Sequence, residues 1–446
     1  MRKLLKKLSY TQIIVLSFLL VIVVGTTLLC LPVSSANGAF TPPVNAMFTA
    51  TSATCVTGLI VYDTFTQWSI FGQAVILLLI QIGGLGFLLF VSMFSVFLKK
   101  KIGAYERRLL MQAQGNLKLG GSVLLLTRIV KGTFLFEGIG ALILALRFCP
   151  KMGLGQGLFC AVFHSVSAFC NAGFDIMGRY KPFSSLTTFA EDPVVMITIM
   201  SLVVIGGIGF LVWTDVVTLK TNFKKYTLHS KIVLSTTAIL LTVPAILFFL
   251  FEYDGVLKDF SIGDKIINAA FLSVAPRTAG FNTVDLSALK PGSEVITDLL
   301  MLIGGSPGST AGGLKTTTFA VLILSTIATA RHDTHPEIFK RRLSKDALSQ
   351  ATAIFTIYVM VSLVAVVIVS ILEKCDVMTA AFEVISAIGT VGATKGLTPT
   401  LCTASKFIIM GLMFGGRVGG LSLVLSLAEK KENAPLDRPS EKILIG

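Results

Sequence analysis

Four glycines, Gly58, Gly173, Gly280 and Gly392, have matching surroundings. Aligned on them without gaps, Ala53, Ala168, Ala275 and Ala387 fall five places earlier, each preceded by Ser52, Ser167, Val274 or Ser386. The residues just before the glycines are Thr57, Ala172, Ala279 and Val391, and before those come Val56, Asn171, Thr278 and Thr390. The chemistry open to such a set is cation dehydration. Its ligands are backbone carbonyls, so it needs no charged or metal-ligating side chains. The backbone must curl until successive carbonyls face one axis, and glycine suits a position where a side chain would clash. Small residues also let membrane helices pack closely, but that reading accounts for one loop better than for four in register.

The glycines are 115, 107 and 112 residues apart in a chain of 446. We therefore expect four units with boundaries near 1–105, 106–228, 229–340 and 341–446, each holding one such loop. The composition is 53% hydrophobic and 14% charged, with a mean hydropathy of +0.82, which selects a polytopic all-α membrane protein. Each unit reads as a span, a short re-entrant helix, a loop and a second span, giving eight spans and four re-entrant loops. First spans are expected over 13–31, 124–146, 232–251 (kinked at Pro244) and 352–372. Short helices are expected over 44–54, over 156–169, from Asp264 and from Asp376, with the two aspartates as N-caps. Continuous second spans are expected over 70–98, 194–219 and 407–427.

Net charge is +14, but the basic residues collect between apolar stretches, after 98, 219, 330 and 429. This argues for the positive-inside rule rather than nucleic acid. Both termini are then cytoplasmic, and the loops enter from outside. The charged segment 331–345 is expected to be a solvated cytoplasmic helix or loop. Seven cysteines without a CxxC pair read as free thiols, and four histidines form no metal or catalytic motif. No enzyme, cofactor site or resident metal is expected.

Two features break the repeat. The second span of the third unit is interrupted by Gly304, Gly305, Ser306, Pro307, Gly308, Ser309, Thr310, Ala311, Gly312, Gly313, Leu314 and Lys315. A helix does not tolerate that density of glycine and proline, and irregular backbone at membrane depth must line water or be buried in protein. We expect a mobile gate below the loops. In the last span, Arg417 lies between Gly415-Gly416 and Gly419-Gly420, where a charge is costly and usually functional. It is expected to donate to free carbonyls of the interrupted segment. Arg277, just before the third loop, is expected to point behind it and pair with Glu383 or Asp285. Thr49, His164, Phe271 and Glu383 share one register position and suggest a hydrogen-bonded collar. Asp175 is expected to draw cations to the mouth, and Glu137 to pair with a neighbouring cation.

The motifs Thr54-Cys55-Val56-Thr57-Gly58-Leu59, Phe169-Cys170-Asn171-Ala172-Gly173-Phe174, Arg277-Thr278-Ala279-Gly280-Phe281-Asn282 and Gly389-Thr390-Val391-Gly392, with the 304–315 segment and Arg417, resemble the Trk/Ktr/HKT superfamily of potassium transporters. The membrane subunits of bacterial Ktr uptake systems are the nearest likeness. The resemblance implies potassium held by the carbonyls of Val56, Thr57, Gly58, Asn171, Ala172, Gly173, Thr278, Ala279, Gly280, Thr390, Val391 and Gly392. It also implies a homodimer in the bacterial plasma membrane, a cytoplasmic ring of KtrA-like nucleotide-binding regulatory subunits, and sodium stimulation. Nucleotide control would come only through that partner. Glycine at all four positions favours potassium over sodium, and no tyrosine follows any of them, so fewer ordered ion sites than in a potassium channel are expected. The alternative is a secondary cation symporter that alternates access around a midplane site.

Overall fold

The computed structural model describes residues 10–86, 122–220, 222–333 and 336–419. Four long helices, α1 (Tyr10–Cys30), α4 (Ser122–Met152), α8 (Leu228–Glu252) and α12 (Lys345–Glu373), are long and apolar enough to cross a membrane. They turn apolar side chains outward, as Leu142, Ile246, Leu363 and Val367 show. A surface of that kind suits lipid and not water. The short helices are α2 (Pro43–Cys55), α5 (Leu154–Phe169), α9 (Ile262–Val274) and α13 (Val377–Gly389). The last four residues of each are all buried, so each ends inside the protein and not at its surface.

Asp376 caps α13 by accepting from Met378 N at 3.0 Å. The expected cap on α9 is displaced. Ser261 caps it, and Asp264 in the first turn accepts from Ser261 Oγ at 2.6 Å, closing a serine–acid box. Helix α8 runs through Pro244 as a single helix.

The inner elements differ from the expected continuous spans. They are α3 (Ile70–Leu85), α6 (Pro193–Gly207), α10 (Pro291–Leu302) and α14 (Thr403–Val418), of 16, 15, 12 and 16 residues. At about 1.5 Å per residue they reach roughly 18–24 Å, short of a ~30 Å hydrocarbon core. Three stop at a glycine with positive φ: Gly86 (86°), Gly209 (98°) and Gly419 (93°). Past Gly209 the chain resumes as α7 (Phe210–Leu219), bent 97° from α6. In the third unit α10 gives way to the 304–315 loop, and helix resumes as α11 (Thr316–Ala330). The expected continuations past residue 86 and past residue 419 lie outside the described residues. The 331–345 segment is neither helix nor open loop: it carries a small antiparallel hairpin, β1 (Glu337–Ile338) with β2 (Arg341–Arg342).

One packing rule recurs. Each short helix packs on the long helix of its own unit (α1 on α2, α4 on α5, α8 on α9, α12 on α13) and on the inner helix of the preceding unit (α3 on α5, α6 on α9, α10 on α13, α14 on α2). The last contact returns to the start of the chain, so the arrangement closes into a ring.

Candidate ion pathway and gate

The loops meet at the centre of that ring. A Cβ added to Gly58 would stand 2.5 Å from Ala172 O and 3.1 Å from Gly173 Cα, and one on Gly173 would stand 2.9 Å from both Ala279 O and Gly280 Cα. Gly280 stands likewise against Val391 O (2.5 Å) and Gly392 Cα (3.4 Å), and Gly392 against Thr57 O and Gly58 Cα (2.9 Å). The order 58, 173, 280, 392 closes on itself. These glycines have φ of 91°, 69°, 73° and 90°, so both space and backbone conformation exclude a side chain.

Sequence reasoning missed a second feature of the loops. Two places before each glycine, Val56, Asn171, Thr278 and Thr390 are themselves left-handed, at φ 56°, 58°, 65° and 52°. Only Asn171 is a residue type that adopts this readily, and β-branched residues there are strained. A left-handed residue, an intervening residue and a left-handed glycine let successive carbonyls face the same side. The strain is held by the helix ends. Thr57, Ala172 and Val391 each donate to the carbonyl of the serine five back, at 2.8 Å. Ser52 Oγ and Ser386 Oγ accept from Gly58 N and Gly392 N at 3.1 Å, whereas Ser167 Oγ donates to Phe174 O at 2.6 Å. The third loop has valine in this place and makes no such bond. The short helices also aim their C-termini, which carry partial negative charge, at the ring.

The inner helices approach through glycines. A Cβ on Gly83, Gly206 or Gly416 would strike the carbonyl of Thr54, Phe169 or Ile388 at the end of a short helix. Each lies three residues before one of the helix-ending glycines. The repeated glycine spacing was visible in the sequence. Its meaning, close approach followed by a break, was not.

Residues 304–315 lie directly under the ring. Ser306 N and Thr310 N donate to Gly207 O and Gly206 O at 3.0 and 3.3 Å, and Gly313 N to Gly416 O at 3.3 Å. Gly308 O accepts from Phe210 N at 2.8 Å, which ties the loop to the start of α7. Thr310 Oγ1 donates to Phe169 O at 3.0 Å and lies 3.0 Å from the Asn171 carboxamide, whose other end is 3.3 Å from Thr278 Oγ1. A side chain at Gly312 would strike Thr390 Oγ1. Lys315 Nζ folds back onto Ala311 O at 2.7 Å and Gly312 O at 3.3 Å. Ser306 and Thr316 share a hydroxyl contact of 3.0 Å. Ser309 Oγ bonds Ser306 O at 2.7 Å, and Gly304 N donates to Leu314 O at 2.8 Å, joining the two ends of the loop. Gly305 O accepts from Thr316 N at 3.1 Å, and Pro307 O faces Gly209.

Arg417 reaches this loop as expected, donating to Thr310 O, and it also donates to Gly83 O and to Gly84 O (2.8 Å) at the end of α3. Carbonyls in the last turn of a helix lack a partner within the helix; here one guanidinium supplies Gly84 O, joins Gly86 N on Gly83 O, and reaches Thr310 O of the loop as well.

Other expected partners are not found. Arg277 is buried and borders a water-sized cavity beside Asn171, Val203 and Gly305, with its Nε unpartnered. Among the described residues no carboxylate pairs with it. Glu383 is occupied by Thr394 Oγ1, Thr398 Oγ1 (2.6 Å) and Lys395 N (3.2 Å), and Asp285 by Ser287. The collar is not continuous. Glu383 braces the outer limb of its own loop, but His164 and Thr49 bond back to Cys160 O and Asn45 O on their own helices. Glu137 faces Cys170 Sγ at 4.0 Å and, among the described residues, no cation. Asp175 is buried at the outer end of the second loop, accepting from Met177 N at 3.0 Å. Burial pushes its carboxyl up to about 7, the Met177 N–H opposes this, and the charge of Asp63 adds to it. The open attracting charge expected there is absent. Asp63 is the residue that joins the mouths of two loops, accepting from Phe65 N, Thr66 N and, across the units, Phe183 N at 3.0 Å.

Residues 6–436 match the family model TrkH, described as cation transport protein. The chain is 40% identical to the Ktr system potassium uptake protein B of Bacillus subtilis, covering 100% of this chain and 99% of that protein. It is 39% identical to the potassium/sodium uptake protein NtpJ of Enterococcus hirae, covering 99% and 98%. The crystal structure of the potassium transporter TrkH from Vibrio parahaemolyticus shares the fold, with a TM-score of 0.73 at 17% identity over 92% of this chain and 84% of that one.

Proposed function

Because the chain belongs to the TrkH family of cation transport proteins, not to a family of enzymes, we propose that it is a potassium uptake transporter. In this reading the ion passes through the ring of carbonyls at Val56, Thr57, Gly58, Asn171, Ala172, Gly173, Thr278, Ala279, Gly280, Thr390, Val391 and Gly392. The observation that carries it is the closure of four left-handed glycine loops on one axis. The printed names of the full-length relatives, potassium uptake and potassium/sodium uptake proteins, support the choice of ion and leave a role for sodium. Residues 304–315 act as the gate and Arg417 as its latch, because loop backbone bonded to α6, α7 and α14 under the ring cannot stay put while a hydrated ion passes. The units follow the boundaries read from the sequence, and both termini are cytoplasmic.

Channel-like passage is preferred over alternating access. Inner elements end at glycines in three of the units, so a broken helix does not by itself mark an alternating-access site. Among the described residues four units of like direction surround one axis, with no inverted pair to rock. Dimerisation and a nucleotide-binding regulatory ring extend the reading by analogy to the Ktr system relatives.

The test is uptake of rubidium and sodium into liposomes holding the purified protein, beside Gly58→Ser and Gly392→Ser. Wild type should take up rubidium well ahead of sodium, and each variant should lose that preference. A preparation that passes neither ion, or variants that leave the ratio unchanged, would overturn the proposal.

A further inference from the structure

The bend between α6 and α7 leaves a groove of about 470 Å³ against α4. Its wall is apolar, formed by Leu135, Phe136, Ile208, Trp213 and Val217 among others, and Arg128 and Lys131 stand at its rim. Its size lies within the ~300–1,000 Å³ of pockets that hold small ligands. The indole Nε1–H is spent on Ile205 O at 3.0 Å, a carbonyl beside the break, so Trp213 offers the groove only its apolar faces. Gly132 makes room for that ring: a Cβ there would stand 2.8 Å from it.

The rim cations lie at a telling depth. Helix α4 has 31 residues, about 46 Å at 1.5 Å per residue, so it overreaches a ~30 Å hydrocarbon core by roughly 16 Å. Arg128 and Lys131 are six and nine residues from its start, on the side of the basic linkers, at the level where lipid phosphates sit. Leu135 and Val217 of the groove are largely exposed, so the opening faces the bilayer.

We propose that this groove binds one anionic phospholipid of the inner leaflet, an acyl chain lying along Trp213 and Phe136 and the phosphate meeting Arg128 and Lys131. Paired cations at the end of an apolar slot complement a phosphate ester joined to a hydrocarbon tail, and a zwitterionic lipid would set its own cation against them. The occupant would steady the bend at Gly209, where an added Cβ would stand 2.9 Å from Pro307 O. The α7 terminus beyond it holds Gly308 of the 304–315 loop. Lipid binding thus bears on the proposed gate, and this consequence rests on the transport reading above; the binding itself does not.

The binding test is native mass spectrometry of the full-length purified protein, after exchange into mixed phosphatidylglycerol and phosphatidylcholine. Wild type should retain one phosphatidylglycerol in preference. Arg128→Gln and Lys131→Gln should each weaken retention roughly 5-fold, as expected for one interfacial cation. Leu135→Trp, which fills the groove and leaves both charges in place, should abolish it. Equal retention of both lipids, or variants that retain phosphatidylglycerol like wild type, would overturn the proposal. So would a cysteine at 135 that crosslinks to another segment of this same chain lying in the groove. Rubidium uptake in vesicles of either lipid then reads the gating consequence. Retained lipid without uptake in any vesicle would count against the transport reading and leave the site standing.

Discussion

At the scale of single residues, Arg417 shows how one side chain can serve several backbone ends. It satisfies Thr310 O together with Gly83 O and Gly84 O, bonds that join the 304–315 loop to the end of α3. Gly83 O also accepts from Gly86 N at 3.2 Å, so replacing Arg417 with glutamine, whose amide can reach one carbonyl, leaves Thr310 O or Gly84 O without a donor. We expect Arg417→Gln to raise rubidium flux into proteoliposomes severalfold while lowering thermal stability by about 2–3 kcal/mol, the cost of unsatisfied buried groups. Unchanged or reduced flux at unchanged stability would show that Arg417 is not a latch. Glu383 makes a similar case outside the ring. It is the sole acceptor for Thr394 Oγ1, Lys395 N and Thr398 Oγ1 among the bonds described. Glu383→Ala should therefore cost about 2–5 kcal/mol, read by thermal unfolding in detergent, and should blur rubidium over sodium because the loop limb above Gly392 loses its brace. Asp175 supplies a pH dependence. Its carboxyl is raised from 3.8 to about 7, so between those values it stays protonated in the fold while the unfolded chain has already ionised. Stability then falls as pH rises across that window and levels off above it. The melting temperature of wild type should drop between pH 5 and pH 7, and Asp175→Asn should flatten the drop. An identical slope in both proteins would remove Asp175 as its source.

At the scale of elements, the sequence made the long and short helices legible and hid the breaks. The long helices are built on apolar runs with few charges, and composition alone places them to within a few residues at most ends. The short helices were found because they precede a recognisable glycine. The inner helices were misread because Gly83-Gly84-Leu85-Gly86 and Gly206-Gly207-Ile208-Gly209 are apolar and look like tolerated small residues in a span. Whether such a glycine lets a neighbour approach or ends the helix depends on what lies across from it, here a carbonyl of another element, and that is not local information. The same limit applies to Arg277 and Glu383. A charge pairing inferred from position in a repeat took no account of the hydroxyls of Thr394 and Thr398, which lie closer in sequence and satisfy the carboxylate first. Most of the candidate site was legible, because the carbonyls proposed to hold the ion are backbone and backbone follows glycine placement. The left-handed Val56, Thr278 and Thr390 were not, since β-branched residues argue against that conformation. A prediction at this scale concerns Gly209, where alanine would have to adopt φ near 98° with its Cβ 2.9 Å from Pro307 O. Gly209→Ala should straighten the α6–α7 junction or loosen the 304–315 loop. Trp213 fluorescence and accessibility of a cysteine placed at Ser309 should both change; wild-type values for both would mean the bend does not depend on that glycine.

At the scale of the whole molecule, the chain assigns unlike tasks to like positions. Apolar clusters cross the unit boundaries: one joins the first two units and reaches the short helix and loop of the third, another wraps the fourth unit onto the first, and a third fills the space between the third and fourth. Deleting residues 306–313 should leave these clusters and the glycine ring intact while opening the space below. The deletion variant should remain folded by circular dichroism and pass rubidium faster than wild type; a folded variant with no gain in flux would mean that the segment is not an obstruction.

The return contact of α14 on α2 has a further consequence. An assembly of four identical subunits receives every mutation in quadruplicate, so an arginine or a bulky loop introduced at the axis appears four times and blocks it. Here the circle is drawn by one polypeptide, and each quadrant can be altered alone. Asymmetry of this kind allows a single cation and a single irregular segment to sit beside the axis without crowding it. It also makes the chain amenable to dosage experiments, in which one, two, three or four of the equivalent glycines are replaced in turn and discrimination between ions is followed as a staircase.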